Sequence, residues 1–104
     1  MELTAQDNGR AIELKVGEQL TIALAENPST GFLWQAETPV PAILRAGEST
    51  FTPKAAKIGS SGLRRFLFEG VAPGSATFRA KLWRSWEGDA SVTERFEIAV
   101  TVVA

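Results

Sequence analysis

The sequence RFEIAVTV at residues 95–102 decides the fold. Its apolar side chains fall on every second position, and mostly polar or small residues separate Phe96, Ile98, Val100 and Val102. Because this pattern has a period of two, alternate side chains lie on opposite faces of a β-strand. The segment therefore predicts a long strand with one face in the core and the other in water.

The same alternation recurs in shorter blocks that glycines and prolines separate. The blocks are residues 12–16, 20–24, 32–36, 66–68 and 76–82, and the weaker stretch 43–52 adds one or two strands. A mildly helical segment, residues 42–46, is too short to form a helix alone. We therefore predict an all-β chain with an immunoglobulin-like antiparallel β-sandwich of seven to eight strands.

The composition is that of one globular domain, residues 1–104. Of its 104 residues, 44% are hydrophobic and 22% are charged, which is enough for a single core. With a net charge of -1, the chain lacks the overall positive charge that nucleic-acid binders use. No apolar run reaches the roughly 20 residues of a membrane span. We expect a monomer that binds neither nucleic acid nor membranes.

The compartment is left open by the sequence. The N-terminal residues lack the basic start and apolar core of a signal peptide. The absence of cysteine suits reducing and oxidising surroundings alike. The chain is expected to be periplasmic or secreted if a signal peptide has been removed, and cytoplasmic otherwise.

Residue types that carry catalysis are scarce. The chain has no His, no Cys and no Ser-x-x-Lys spacing, so the usual nucleophiles and proton relays are missing. Glu87 and Asp89 share a Glu-Gly-Asp turn and are expected to be solvated. The acidic residues are otherwise dispersed, and no metal or cofactor site is predicted. We expect a binding protein rather than an enzyme.

Residues 27–31, Asn-Pro-Ser-Thr-Gly, form the most constrained turn in the sequence. Asn27 can cap the turn through its side chain, Pro28 restricts φ, and Gly31 permits a positive φ. A loop that already has its bound shape loses less entropy when it meets a partner. The turn is therefore either a rigid binding tip or a well-made hairpin connection.

Two further segments have the character of contact loops. Residues 54–62 hold Ile58 among lysines and serines, and their glycines either let another backbone approach closely or make a mobile connection. Trp83 lies on the outward parity of its strand, as interface hot spots do. Trp86 is either a second contact or a lid on the sandwich edge, and Trp34 is expected in the core.

In this order and at comparable spacing, the three segments resemble the motifs of the chagasin-type inhibitors of cysteine peptidases. Residues 27–31 match an Asn-Pro-Thr-Thr-Gly loop with one Thr-to-Ser exchange. Residues 59–62 match a Gly-x-Gly-Gly loop, except that serine replaces its third residue. Trp83 matches an Arg-Pro-Trp segment in which Lys81 and Leu82 stand for Arg and Pro. The resemblance covers nearly the whole chain.

The resemblance implies a reversible, non-covalent, competitive inhibitor of papain-family, cathepsin L-like cysteine peptidases. Ser29 and Thr30 would lie nearest the catalytic pair of the peptidase, Ile58 would face the pocket for the second substrate residue, and Trp83 would stack on the primed side. The implied peptidase-binding residues are Asn27, Pro28, Ser29, Thr30, Gly31, Ile58, Gly59, Ser60, Ser61, Gly62, Lys81, Leu82, Trp83 and Trp86.

The alternative interpretation is an immunoglobulin-like adhesion or carbohydrate-binding module, in which Trp83 and Trp86 form a stacking platform. A platform for single-stranded nucleic acid would add Lys81 and Arg84, but the net charge disfavours it. Neither alternative explains why the first loop matches a known motif in order with the other two.

Overall fold

The structure, a computed structural model, describes residues 1–37, 40–53 and 61–104. These residues form eight β-strands and four single-turn 3₁₀ segments. The strands are β1 (Glu2–Thr4), β2 (Ala11–Lys15), β3 (Gln19–Glu26), β4 (Leu33–Glu37), β5 (Leu44–Pro53), β6 (Gly62–Gly70), β7 (Gly74–Trp83) and β8 (Glu94–Val103). Within these ranges, no helix has the length and apolarity that crossing a membrane requires.

The strands make two four-stranded sheets, in the orders β1-β3-β6-β5 and β2-β8-β7-β4. The core lies between them, with Phe78 fully buried at its centre. The Phe78 ring centroid lies 5.5 Å from that of Phe66, 5.1 Å from that of Phe68 and 6.1 Å from that of Phe96. The predicted fold class is confirmed, and the predicted core position of Trp34 is confirmed by its 9% exposure.

Two details of the sheets were not predicted. The edge strands β1 and β2 pair in parallel with β3 and β8, while the remaining pairs are antiparallel. Strand β1 has only three residues, too few for a period of two to mark it. Segment 42–46 is not helical, because Leu44 already begins β5, which continues past a bulge between Ala46 and Ser49.

Strand register gathers three connections at one end of the sandwich. Glu26 of β3 faces Gly62 of β6, which also faces Pro53 of β5. In the other sheet, Leu33 at the start of β4 faces Trp83 at the end of β7. The first loop (residues 27–32), the second loop (54–61) and the third loop (84–93) therefore leave the sandwich at the same end.

Below this end, a buried charge network joins β3, β4 and β6. Glu26 is 2% exposed and is the single buried charged residue in the described ranges. Its carboxylate accepts hydrogen bonds from the Trp34 backbone N–H at 2.8 Å and from Arg64 Nε and Nη2 at 3.2 and 2.8 Å. The Trp34 indole donates to the Ala25 carbonyl at 2.8 Å. A buried carboxylate is tolerated only when it is paired in this way.

We expect Glu26→Ala to lower the free energy of unfolding by about 2 to 3 kcal/mol, because Trp34 N–H and Arg64 lose their common acceptor. Denaturation in urea measures this. The matched control is Glu97→Ala, whose carboxylate pairs with Arg79 at the exposed surface and should cost less than about 1 kcal/mol. Equal losses in the two variants would contradict a structural role for the buried network.

Candidate functional site

The first loop is held in one shape by hydrogen bonds within it. Asn27 Oδ1 accepts from the Ser29 N–H at 3.1 Å and from the Ser29 hydroxyl at 2.7 Å. The Thr30 hydroxyl donates to the Asn27 carbonyl at 2.8 Å and accepts from the Phe32 N–H at 3.3 Å. The Ser29 and Thr30 hydroxyls therefore stabilise the loop itself. Asn27 caps the turn through its side chain, as predicted.

The backbone of the tip is a 3₁₀ turn with Pro28 at its start. Gly31 ends the turn with φ +80°, as predicted, and its N–H donates to the Pro28 carbonyl at 3.0 Å. Residues 28–30 are exposed. The loop thus presents a fixed, protruding surface at the end of the sandwich.

The third loop is organised around Arg84. Its two 3₁₀ turns span Ser85–Glu87 and Asp89–Ser91, and the Ser91 hydroxyl accepts from the Arg84 N–H at 3.0 Å. The Arg84 guanidinium reaches the first loop and donates through Nε and Nη2 to the Thr30 carbonyl, at 3.1 and 3.0 Å. The two loops are therefore bonded to each other.

Trp83 faces outward as its parity predicts, and Lys81 covers part of it. The Lys81 Nζ lies 3.6 Å from the Trp83 ring centroid and donates to Asp89 Oδ1 at 3.1 Å. Leu82, on the opposite parity, packs against the core. Of the segment Lys81-Leu82-Trp83, the outer surface consists of the tryptophan and the lysine above it.

Trp86 is a surface residue with 71% exposure. The far edge of its ring, atom Cη2, lies 2.7 Å from the position that a Cβ on Gly31 would occupy. Gly31, Leu33, Trp83 and Trp86 contribute to a groove of about 340 Å³ beside the first loop. Trp86 is therefore an exposed ring that lies against the first loop at Gly31, and its role as a second contact to a partner stays a prediction.

Part of the second loop lies outside the described residues, and so do the predicted site residues Ile58, Gly59 and Ser60. Ser61 is exposed, whereas Gly62 is buried as the first residue of β6. A Cβ on Gly62 would lie 2.3 Å from the Thr52 carbonyl. Glycine at this position is required by the close approach of β5.

Two residues of this region were not assigned to the predicted inhibitory site. Glu26 does carry a sequence signal, because an acidic residue continues the buried parity of Leu20, Ile22 and Leu24. Arg84 carries none, since it follows the end of its strand with no periodic pattern around it.

Two chemical features of the described residues are their capacity for metal binding and the pKa values that their surroundings shift. The described parts of the chain hold no group of three or more His, Cys, Asp or Glu side chains able to bind a metal. The Thr4 N–H and the Arg10 guanidinium lower the pKa of Asp7, and the hydrogen bond to Glu97 raises the pKa of Arg79.

Comparison with known proteins connects this arrangement to a family. A family model described as chagasin family peptidase inhibitor I42 matches residues 13–100. The chain belongs to this family of peptidase inhibitors. Chagasin of Trypanosoma cruzi is 28% identical to it over 102 residues, which cover 93% of each chain. The resemblance stated from the three motifs, and the expectation of a protein that is not an enzyme, are confirmed.

Two solved structures share this fold at low sequence identity. The cysteine protease inhibitor EhICP2 of Entamoeba histolytica superposes with a TM-score of 0.87 at 19% identity, covering 98% of this chain and 94% of that one. PbICP-C, solved in complex with falcipain-2, superposes with a TM-score of 0.67 at 21% identity, covering 99% and 90%.

We expect Gly31→Ala to displace the Trp86 ring, because the new methyl group would meet Trp86 Cη2. Gly17→Ala is the matched control, since Gly17 has φ +88° but nothing within 4 Å of the added Cβ. In both variants the free energy of unfolding should fall by about 1 kcal/mol, because alanine is strained at a positive φ. Only Gly31→Ala should shift the NMR signals of the Trp86 indole, and unchanged signals would contradict the contact.

Proposed function

We propose that this chagasin-family chain is a reversible, non-covalent, competitive inhibitor of papain-family cysteine peptidases, of the cathepsin L-like kind. Residues 1–104 would act as a single inhibitory domain and as a monomer. The observation that carries the proposal is a rigid, exposed first loop bonded to the third loop, with Trp83 at the end of β7 and Trp86 in the third loop beside it. These features occur in a chain that matches the family from residue 13 to residue 100.

The relatives support cysteine peptidases as the target class. The inhibitor of Entamoeba histolytica is named a cysteine protease inhibitor, and PbICP-C forms a complex with falcipain-2. We carry that class over to this chain because the first-loop motif and the outward Trp83 are both present in the corresponding order.

Inhibition would follow from occupation of the cleft, without a chemical step. Residues 28–30 are exposed and would enter the active-site cleft, where their internal hydrogen bonds would limit rearrangement. Residues 58–62 would lie along the non-primed side, while Trp83 under Lys81, together with Trp86, would contact the primed side. Leu82 would support Trp83 from the core. Such binding depends on buried area and preorganisation.

The carbohydrate-binding alternative is less well supported by the same geometry. A sugar platform of Trp83 and Trp86 requires an open face on both rings, and Lys81 Nζ, 3.6 Å from the Trp83 ring centroid, covers the Trp83 face. Membership of a peptidase inhibitor family also favours inhibition.

The proposal is tested by titrating papain with the purified protein in the presence of a fluorogenic dipeptide substrate. We expect nanomolar, reversible and competitive inhibition. The triple variant Ser29→Ala/Thr30→Ala/Trp83→Ala, shown to be folded by circular dichroism, should lose it. Absence of inhibition at micromolar concentration, against both papain and a cathepsin L-type enzyme, would sink the proposal.

Trp83→Ala alone is expected to weaken inhibition by about 2 kcal/mol, or roughly thirtyfold, because the truncation removes an aromatic anchor. The inhibition constant with papain measures the effect, and thermal unfolding verifies the fold. Leu67→Ala, which truncates an apolar side chain that is 38% exposed on β6, is the control and should leave inhibition unchanged. Trp83→Ala behaving like the control would remove Trp83 from the binding surface.

The pH dependence of inhibition is expected to come from the peptidase. The chain has no His, the side chain whose unperturbed pKa lies within the range of about pH 5 to 8. With a peptidase whose own active site does not titrate in that range, the inhibition constant should be nearly flat. A steep change measured with such a peptidase would show that a group on this chain is titrating.

A further inference from the structure

The Thr30 carbonyl bonds the first loop to a distant part of the chain. Hydrogen bonds within the loop engage the Ser29 and Thr30 hydroxyls and the Gly31 and Phe32 N–H groups. The Thr30 carbonyl instead accepts two N–H groups of Arg84, at 3.0 and 3.1 Å. These two bonds connect residues that lie 54 positions apart in sequence.

Arg84 is itself held on several sides. Its guanidinium carbon lies 4.4 Å from the centroid of the Phe32 ring. Its Nη1 donates to Glu87 Oε2 at 3.2 Å, and its backbone N–H donates to the Ser91 hydroxyl at 3.0 Å. Besides its bonds to the Thr30 carbonyl, Arg84 is therefore held by Glu87 and Ser91 of the third loop and by the Phe32 ring of the first loop, so it connects the two loops.

We propose that Arg84 is a positioning residue that locks the first and third loops into one rigid binding edge. This inference rests on the proposed inhibition of cysteine peptidases and extends it to a residue that is not among the predicted peptidase-binding residues. Arg84 acts through the Thr30 carbonyl, and the Trp86 ring resting on Gly31 adds a second contact between the same two loops. An edge assembled in advance loses less conformational entropy when it enters a cleft.

The geometry requires an arginine in particular. A planar guanidinium can donate two N–H groups to one carbonyl while its face lies over an aromatic ring, whereas the compact ammonium of lysine cannot do both at once. Arg84→Lys therefore separates this role from a direct charge contact with the peptidase. A charge contact would tolerate lysine, and the lock would not.

The test compares Arg84→Gln and Arg84→Lys with Arg79→Gln, a matched control on β7 whose guanidinium pairs with Glu97 at the exposed surface. Two quantities are measured: the inhibition constant with papain, and the amide hydrogen exchange of residues 29–32 in the free protein by NMR. We expect both Arg84 variants to inhibit about tenfold more weakly and to exchange faster at residues 29–32. Their melting temperatures should stay close to that of the control.

Three outcomes would overturn the proposal. Weaker inhibition with unchanged exchange would mean that Arg84 contacts the peptidase directly, and full inhibition by Arg84→Lys would mean that only its charge matters. Faster exchange with unchanged inhibition would mean that the lock exists but does not position the loops for binding. If the unaltered chain does not inhibit papain or a cathepsin L-type enzyme, the proposed function fails, while the exchange data still decide whether the lock exists.

Discussion

The hydrogen bonds of the buried Glu26 carboxylate are the constraint on which the loop end of the sandwich depends. This carboxylate lies where β3 ends, and it binds the Trp34 N–H at the start of β4 and the Arg64 guanidinium near the start of β6. One side chain thus fixes the separation of the strands that carry both ends of the first loop and one end of the second. Every buried side-chain nitrogen and oxygen in the described ranges has a partner, so this charge is held in the core without an unpaired polar atom, which would be costly.

Above this network, the first loop is restrained at three levels of increasing range. Asn27 closes the turn locally through its side chain. Glu26 then fixes the base of the loop against its neighbouring strands, and Arg84 fixes its tip against the third loop. Each level removes conformations that the loop would otherwise lose on binding. The proposed non-covalent inhibition would depend on this, because only the interaction energy in excess of ordering costs appears as affinity.

These levels differ in how far the sequence predicts them. The core strands were predictable because a period of two is a local signal, and the turn at Asn27 was predictable because each of its residues restricts its own backbone. Glu26 is an intermediate case: its acidic side chain on a buried parity signals a partner, but the partners lie 8 and 38 positions away. The contact from Arg84 to the Thr30 carbonyl spans 54 positions and arises from the register of β4 with β7. No local pattern encodes such a contact, and the parallel pairing of the three-residue strand β1 escapes prediction for the same reason.

Lys81 and Leu82, which the sequence analysis matched to the Arg and Pro of an Arg-Pro-Trp segment, have a physical role in this chain. Leu82 faces Trp34 on one side and Glu94 on the other in the sheet, and its side chain packs against the core. A proline there would lack the N–H that a strand between two neighbours donates, so leucine allows β7 to continue to Trp83. Lys81 then lies on the same face as Trp83 and covers its ring, held by Asp89. The sheet therefore fixes Trp83 as a strand residue, while Trp86 supplies the more exposed aromatic surface. Trp83 therefore provides a rigid aromatic side chain, and Trp86 provides exposed aromatic area.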